Sequence, residues 1–211
     1  MRAINQYIIE NVMRRKENWN ERYVTGNLPW DTGKPDFNLR EIITKRRIQP
    51  CKALEAGCGT GSNALWLSQK GFSVTAVDIA EVAIQRAIEK ASRAGANCRF
   101  FTADFMKEKI AGSPFGFVFD RGCFHSFDLA KERRRYAKIA HSYLKKDGLW
   151  LTFVGSADEP RRAPGPPQRT ARDIVTAVGL YFKILLLYAS HFDSNMQKPP
   201  KAWVCLMQKA G

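Results

Sequence analysis

The segment that decides the fold is a glycine-rich run at residues 54–63, which reads LEAGCGTGSN. A short apolar stretch leads into it and a helix-forming stretch follows, so the run predicts a sharp turn from a β-strand into an α-helix. Glycines at 57, 59 and 61 let the backbone turn tightly and let a ligand approach closely. In an open parallel sheet, such a turn lies at the carboxyl end of its strand, where ligands bind.

Strands and helices alternate along the chain around this turn, which predicts a mostly parallel sheet covered on both faces. The last two predicted strands follow one another through a long connection and can close the sheet as an antiparallel pair. We therefore predict an α/β fold with one doubly wound, mostly parallel seven-stranded sheet and an antiparallel C-terminal strand. The predicted strands cover residues 52–56, 72–77, 98–102, 115–119, 149–154, 181–189 and 202–208. The predicted helices cover residues 4–18, 39–46, 62–69, 81–94, 129–144 and 170–178, and residues 24–38 are predicted to form an ordered loop.

Two carboxylates stand at the ends of later predicted strands. Asp78 ends the second strand, where a carboxylate can accept hydrogen bonds from both hydroxyl groups of a ribose. Asp104 follows the third strand, where it can bond an adenine amine while Phe105 covers the ring. The alternative for both acids is a helix cap or an ordinary loop position.

Two classes of adenine-containing cofactor, dinucleotides and S-adenosylmethionine, are candidate ligands for the glycine turn. A dinucleotide site prefers GxGxxG, which would put its third glycine at Ser62, whereas the chain has Gly61. Glu55, just before the turn, would repel a pyrophosphate but suits S-adenosylmethionine, which has no phosphate and carries an amine and a sulfonium. A phosphate-binding P-loop is excluded because no GK[ST] follows. The residues favour S-adenosylmethionine.

Residues 51–154 resemble a class I S-adenosylmethionine-dependent methyltransferase, with LEAGCGTG as the first motif. Three flanking motifs resemble the superfamily of thiopurine methyltransferases and plant halide/thiol methyltransferases. They are WNERYVTGNLPWD at residues 19–31, DRG at 120–122 and PGPP at 164–167. The resemblance implies N-terminal helices and an aromatic lid at residues 1–48, followed by a methyltransferase domain at residues 49–211.

The resemblance also implies a set of cofactor contacts. In that superfamily the N-terminal aromatic segment folds over the cofactor, which suits a sulfonium because aromatic faces attract cations and exclude water. The alternative is that these aromatic rings only pin the N-terminal helix to the core, and that Arg121 is a surface or salt-bridged arginine. The predicted cofactor contacts are Trp19, Tyr23, Trp30, Glu55, Gly57, Cys58, Gly59, Gly61, Asp78, Ile79, Asp104, Phe105, Asp120 and Arg121.

Methyl transfer requires the protein to align the nucleophile with the methyl group and to keep water out. A thiolate or selenide needs little else, whereas a neutral hydroxyl or amine needs a general base. His125 is the predicted catalytic residue, as a base or a hydrogen-bond donor, with Asp120 as a second candidate base; a structural histidine is the alternative. The predicted acceptor contacts are Arg121, His125 and Pro166, and Arg121 with Arg161–Arg162 favours a small anionic acceptor.

The composition narrows the class of protein further. The chain has 211 residues with 34 basic and 20 acidic side chains, a formal net charge of +14 that can attract nucleic acid or other anions. The run Arg133–Arg135 lies in a predicted helix and is expected to be a solvated face. The five cysteines are scattered without a CxxC pair, which predicts free thiols, a cytoplasmic location and no metal. The apolar run at 184–189 is far shorter than the roughly 20 residues that a membrane span needs, and no secretory signal precedes it.

We predict a methyltransferase that acts on a small nucleophile, namely a thiol or a related selenium, tellurium or halide acceptor. One alternative is an RNA or protein methyltransferase that uses the basic surface. It is disfavoured for nucleobase amines, because DRGC stands at residues 120–123 in place of an Asn/Asp-Pro-Pro-aromatic motif. A second alternative is a non-catalytic protein that binds S-adenosylmethionine. The sequence does not indicate which oligomeric state the protein adopts.

Overall fold

The computed structural model of the protein describes residues 18–161 and 165–211. Helices and strands alternate through most of this part of the chain, with a short 3-10 helix at Phe124–Ser126. The helices are α1 (residues 18–25), α2 (Phe37–Lys45), α3 (Ser62–Gln69), α4 (Glu81–Ala94), α5 (Ala130–Tyr143) and α6 (Ala171–Val178). The strands are β1 (Lys52–Ala56), β2 (Ser73–Asp78), β3 (Cys98–Thr102), β4 (Phe115–Arg121), β5 (Leu144–Ser156), β6 (Gln168–Arg169), β7 (Phe182–His191) and β8 (Lys201–Lys209).

The strands form one mixed sheet in the order β3-β2-β1-β4-β5-β8-β7. Strands β1 to β5 pair in parallel, and β8 runs antiparallel between β5 and β7. The predicted fold class is confirmed, with the two-residue strand β6 added beside β5. The division of the chain at residue 48 into a lid and a catalytic domain stays a prediction.

Alternating side chains of the central strands build a core on each face of the sheet. In β4, Phe117 and Phe119 pack with the apolar residues of α2, α3 and α4, whereas Val118 faces the cluster that contains Trp150 and Tyr136. All five of these side chains are completely buried. Because both faces are covered, ligands can reach the sheet only at the ends of its strands.

Most predicted elements agree with the structure to within two residues at each end. The predicted start of the fifth strand was wrong, because α5 ends at Tyr143 and Leu144 already pairs with Phe115 of β4. The predicted loop at residues 24–38 starts two residues too early, since α1 continues through residue 25. Almost all of the predicted helix 4–18 lies outside the described residues, and its predicted end at residue 18 was wrong for the same reason.

The expectation that Arg133–Arg135 forms a solvated face was wrong for its first residue. Arg133 is buried, and its guanidinium donates to the carbonyl oxygens of Phe127 and Asp128 at 2.9 and 2.6 Å. It also pairs with Asp173 of α6 at 3.2 Å. The arginine therefore joins α5 to α6, while Arg134 and Arg135 are exposed.

Among the described residues, no helix is both long enough and apolar enough to cross a membrane. No disulfide bond joins Cys51, Cys58, Cys98, Cys123 and Cys205 to one another.

The turn between β1 and α3 depends on the absence of a side chain at Gly61. Gly61 precedes α3 with a φ of 78°, in the left-handed region that favours glycine. A Cβ atom there would lie 3.0 Å from the Cβ of Ala87 in α4 and 3.0 Å from the ring of Phe100 in β3. The turn is therefore packed directly against the next βα unit.

We predict that Gly61→Ala lowers the free energy of unfolding by about 2–5 kcal/mol, the sum of left-handed backbone strain and overpacking. Gly95→Ala is the matched control, because Gly95 has a φ of 60° but nothing within 4 Å of a new Cβ. It should cost only the backbone term of about 1–2 kcal/mol. Chemical denaturation measures both losses, and equal losses would contradict the packing argument.

Candidate active site

A cavity of about 240 Å³ opens where the strands of the parallel sheet end. Its wall is assembled from the loops that follow β1, β2, β3 and β4, from the segment before β6, and from the loop between β7 and β8. The N-terminal segment closes another side of it. The residues of the wall include Trp19, Tyr23, Trp30, Asp31, Gly57, Cys58, Gly59, Asn63, Asp78, Ile79, Asp104, Phe105, Arg121, His125, Pro166, Phe192, Asp193, Ser194 and Met196.

Asp78 fastens the glycine turn to the neighbouring strand. Its Oδ2 accepts a hydrogen bond from the backbone N–H of Gly59, and its Oδ1 accepts one from Ala80, both at 2.9 Å. Burial raises the pKa of Asp78 above its ordinary value, and the N–H groups of Ala80 and Gly59 oppose that rise. The carboxylate thus lies at the predicted position, on the cavity wall, and holds the turn in shape.

The backbone of Gly59 is covered by the N-terminal helix. A Cβ at Gly59 would lie 2.9 Å from the hydroxyl oxygen of Tyr23, so a larger residue would have to displace this ring. Tyr23 is almost completely buried, and burial raises its pKa well above the ordinary value. Helix α1 therefore lies directly on the turn.

The three predicted aromatic residues of the lid form one cluster. The ring of Trp30 meets Trp19 and Tyr23 edge to face, with centroids 5.8 and 6.4 Å apart. The guanidinium of Arg22 lies 4.1 Å from the centroid of the Trp30 ring, which is cation–π distance. The structure brings all three rings together on the cavity wall.

Asp31 connects the N-terminal segment to the glycine turn. Its Oδ2 accepts a hydrogen bond from the hydroxyl of Thr60 at 2.9 Å. The ammonium of Lys90 in turn donates to the hydroxyl oxygens of Thr60 and Ser62 at 2.7 and 2.9 Å. Burial lowers the pKa of Lys90, and the charge of Asp31 opposes this. The sequence analysis did not single out these contacts, which join residues far apart in the chain.

Glu55 is completely buried and does not lie on the cavity wall. Its Oε1 accepts a hydrogen bond from the amide of Asn63 at 3.2 Å, and its Oε2 has no partner among the described residues. Burial raises the pKa of Glu55 to about 8. Asn63, which the sequence analysis missed, does lie on the wall and also accepts from the backbone N–H of Asp36 at 2.9 Å.

Arg121 gathers three parts of the chain at the end of β4. Its Nε donates to Oδ2 of Asp36 at 2.6 Å, and its Nη1 donates to the carbonyl oxygen of Trp30 at 3.3 Å. Its Nη2 donates to the carbonyl oxygen of Asp193 in the loop between β7 and β8. Arg121 is therefore a salt-bridged arginine that also forms part of the cavity wall, and its contact with cofactor or acceptor stays a prediction.

The predicted roles of Asp120 as a cofactor contact and as a base do not agree with its position. The carboxylate is completely buried away from the cavity wall. Its Oδ1 accepts from the N–H groups of Cys123 and Phe124, and its Oδ2 accepts from the indole of Trp150 at 2.9 Å. Burial raises its pKa to about 6. Asp120 instead shapes the turn that carries Arg121 and His125.

His125 lies on the cavity wall in the 3-10 helix, and its protonation follows from one hydrogen bond. Its Nδ1 accepts from the backbone N–H of Gly155 at 2.8 Å, so the neutral ring carries its proton on Nε2. Burial, with the charges of Arg169 and Arg121, lowers its pKa to about 3. A ring in this state donates a hydrogen bond and cannot accept a proton at Nε2, so the predicted role as a base does not agree with the structure.

The remaining predicted residues divide between the wall and the core. Gly57, Cys58, Ile79, Asp104, Phe105 and Pro166 lie on the wall, whereas Gly61 does not. The Phe105 ring packs on Tyr136 at 4.6 Å between centroids, so most of it belongs to the core. Pro164 and Arg162 lie outside the described residues. No group of three or more potential metal ligands occurs in the part of the chain that the structure describes.

The loop at residues 192–196 is the largest part of the wall that the sequence analysis missed. Phe192 meets the ring of His125 edge to face at 5.8 Å and lies 5.1 Å from the guanidinium of Arg121. Asp193, Ser194 and Met196 continue this wall. No glycine motif or charged cluster marks this stretch, and only the hairpin of β7 and β8 brings it to the cavity.

Comparison with known proteins identifies the family. The family described as "Thiopurine S-methyltransferase (TPMT)" matches residues 14–208. This chain belongs to that family. It is an S-adenosylmethionine-dependent methyltransferase, as the resemblance implied.

Two relatives and one solved structure illustrate the family and the fold. The chain is 28% identical over 171 residues to "Probable thiol methyltransferase 2" of Arabidopsis thaliana, covering 80% of this chain and 71% of that one. It is 32% identical over 157 residues to the 2-heptyl-1-hydroxyquinolin-4(1H)-one methyltransferase of Mycobacteroides abscessus, covering 74% and 69%. The 1,6-didemethyltoxoflavin-N1-methyltransferase of Burkholderia thailandensis, solved with S-adenosylhomocysteine, shares the fold. The TM-score is 0.75 at 19% identity, over 97% of this chain and 90% of that one.

We predict that His125 of this methyltransferase stays neutral, with its proton on Nε2, between about pH 5 and pH 9. The reason is that its pKa is lowered to about 3, so the ring gains a second proton only in strong acid. Proton–nitrogen correlation NMR of labelled histidine reads the tautomer and the titration directly. The exposed His191 is the internal control. A His125 signal that titrates near neutral pH would contradict this assignment.

Proposed function

We propose that this enzyme methylates a small acceptor that reacts as a soft anion, with a thiolate as the main case. The observation that carries the proposal is the state of His125, the titratable imidazole of the cavity wall, which offers an N–H and cannot serve as a base. Arg121 adds a positive charge beside it on the same wall. These two groups suit an acceptor that arrives already ionised, because a donor and a cation both favour its charged form.

The cofactor is assigned to the side of the cavity formed by the glycine turn and the lid. Asp78 would accept the ribose hydroxyls, and Asp104 the adenine amine. The amide of Asn63, which lies on the wall and donates to the buried Glu55, would meet the charged amino-acid end. The rings of Trp19, Tyr23 and Trp30 would cover the sulfonium and exclude water.

When bound, S-adenosylmethionine would supply an electrophilic methyl group: as a thiolate forms a bond to the methyl carbon, the bond from that carbon to the sulfonium breaks, S-adenosylhomocysteine leaves, and the opposite charges of sulfonium and thiolate cancel. The chain itself then contributes by positioning the acceptor and by excluding water from the site. Arg121 and the Nε2–H of His125 would orient the anionic sulfur, and Phe192 would hold water away from it. Such positioning supplies on the order of 7–11 kcal/mol in favourable cases.

The acceptor side of the wall combines apolar and polar residues. Phe192, Met196, Pro166 and Pro200 lie on it together with Arg121, His125, Asp193 and Ser194. The apolar residues and the N–H donors of Arg121 and His125 suit a small, poorly hydrated anion. The name of the thiol methyltransferase from Arabidopsis thaliana agrees with a sulfur acceptor.

A second candidate is an acidic hydroxyl on a heteroaromatic ring. The hydroxyquinolone methyltransferase of Mycobacteroides abscessus is the observation in its favour. Such a hydroxyl would also arrive ionised and would use the same two groups. A large RNA or protein acceptor is less suited to a cavity of about 240 Å³ that is walled by the lid and the 192–196 loop.

The test is turnover of labelled S-adenosylmethionine with three matched acceptors: 4-nitrobenzenethiol, 4-nitrophenol and 4-nitroaniline. We predict that kcat/KM for the thiol exceeds that for the phenol by at least about tenfold, or 1.4 kcal/mol, and that the aniline is inert. With a less acidic aliphatic thiol, kcat/KM should rise with pH until the thiol's own pKa, because the thiolate is the nucleophile. The pH at which kcat/KM stops rising should therefore shift with the pKa of the thiol that is used.

Other outcomes of this experiment would contradict the proposal or support the second candidate. A break at the same pH for every thiol would reveal a base on the enzyme and contradict the proposed role of His125. Preference for the phenol would support the second candidate. Methylation of RNA instead of any small acceptor would overturn the proposal, and so would tight cofactor binding without turnover of the panel.

A further inference from the structure

The loop at residues 192–196 is hydrogen-bonded to the N-terminal segment across more than 160 residues of sequence. The backbone N–H of Asn195 donates to the carbonyl oxygen of Pro29 at 2.8 Å. Its side-chain Nδ2 donates to the carbonyl oxygen of Asp31 at 2.9 Å. The hydroxyl of Ser194 donates to the carbonyl oxygen of Pro29 at 3.0 Å. The two segments therefore hold each other in place at three points.

The two linked segments contact different parts of the cavity wall. Residues 29–31 belong to the lid, since Trp30 packs on Tyr23 and Asp31 bonds Thr60 of the glycine turn. The 192–196 loop belongs to the acceptor side, where Phe192 packs on His125. This division rests on the proposed function. A movement of the lid is thereby transmitted to the wall that would hold the acceptor.

Asn195 is the part of this link that can be changed without touching either ligand. It is exposed and does not lie on the cavity wall, unlike its neighbours Ser194 and Met196. Its two bonds go to main-chain carbonyl oxygens, so they report the position of the lid backbone whatever its side chains do. Arg121 also bridges the lid and the loop, but it lies on the wall.

We propose that Asn195 is a positioning residue that couples cofactor binding to acceptor binding. When the lid closes on the cofactor, the hydrogen bonds from Asn195 draw the 192–196 loop into the position in which it holds the acceptor. By linkage, the acceptor must tighten cofactor binding by the same factor.

The test uses hydrogen exchange of the full-length protein with and without S-adenosylhomocysteine. In the unaltered protein, the ligand should slow exchange both at residues 57–61 and at residues 192–196. In Asn195→Ala, protection at 57–61 should remain, while protection at 192–196 should fall by about three- to tenfold, the range expected for one lost hydrogen bond. Asn195→Asp, which keeps the shape but removes the donor, should behave the same way.

The matched control is Gln197→Ala, because Gln197 is an exposed residue that directly follows the 192–196 loop and lies off the wall. It should leave both patterns unchanged. Protection of 192–196 that persists in Asn195→Ala, or that is absent from the unaltered protein, would overturn the proposal. This readout needs no acceptor, so inactivity on the thiol panel would defeat the proposed function while leaving the coupling measurable.

Steady-state kinetics test whether the hydrogen bonds of Asn195 also affect binding of the acceptor. At saturating S-adenosylmethionine, Asn195→Ala should raise the KM for 4-nitrobenzenethiol by about three- to tenfold and leave kcat nearly unchanged. Addition of the thiol should also tighten S-adenosylhomocysteine binding less in Asn195→Ala than in Gln197→Ala, as calorimetry measures. Equal tightening in the two variants would contradict the coupling.

Discussion

The site depends first on the two hydrogen bonds that hold the carboxylate of Asp78. One comes from Gly59 in the turn after β1 and the other from Ala80 at the start of α4, so the ends of two neighbouring parallel strands are tied together by one side chain. The tie keeps the backbone of the turn open toward the cavity. It also places a buried negative charge where a nucleoside with a cationic sulfur, and not a pyrophosphate, is expected to bind.

A second constraint closes the cavity around that crevice. The Arg121–Asp36 pair is almost completely buried, and loss of one partner of such a pair typically costs about 3–5 kcal/mol because a charge is left unpaired. The same guanidinium reaches the lid at Trp30 and the hairpin loop at Asp193. One cation thus organises both the proposed cofactor side and the proposed acceptor side of the cavity.

The sequence predicts the parts of the site that are encoded locally. The glycine turn, Asp78 at the end of β2 and the aromatic cluster of the lid each follow from residues close together in the chain, and the structure places them on one wall. Contacts over long separations were missed. Neither the link from Asn195 to Pro29 nor the buried position of Arg133 has a local signal. The proton on Nε2 of His125 depends on the N–H of Gly155, 30 residues later, so the mistaken role as a base could not be corrected from sequence.

The most direct test of the central claim is a crystal structure of the enzyme grown with S-adenosylhomocysteine. The account predicts that the ligand lies against the turn at residues 57–60, with its ribose at Asp78 and its sulfur beneath the aromatic rings of the lid. A cavity left empty while the ligand binds elsewhere on the protein would contradict it, and so would a ligand whose ribose lies away from Asp78.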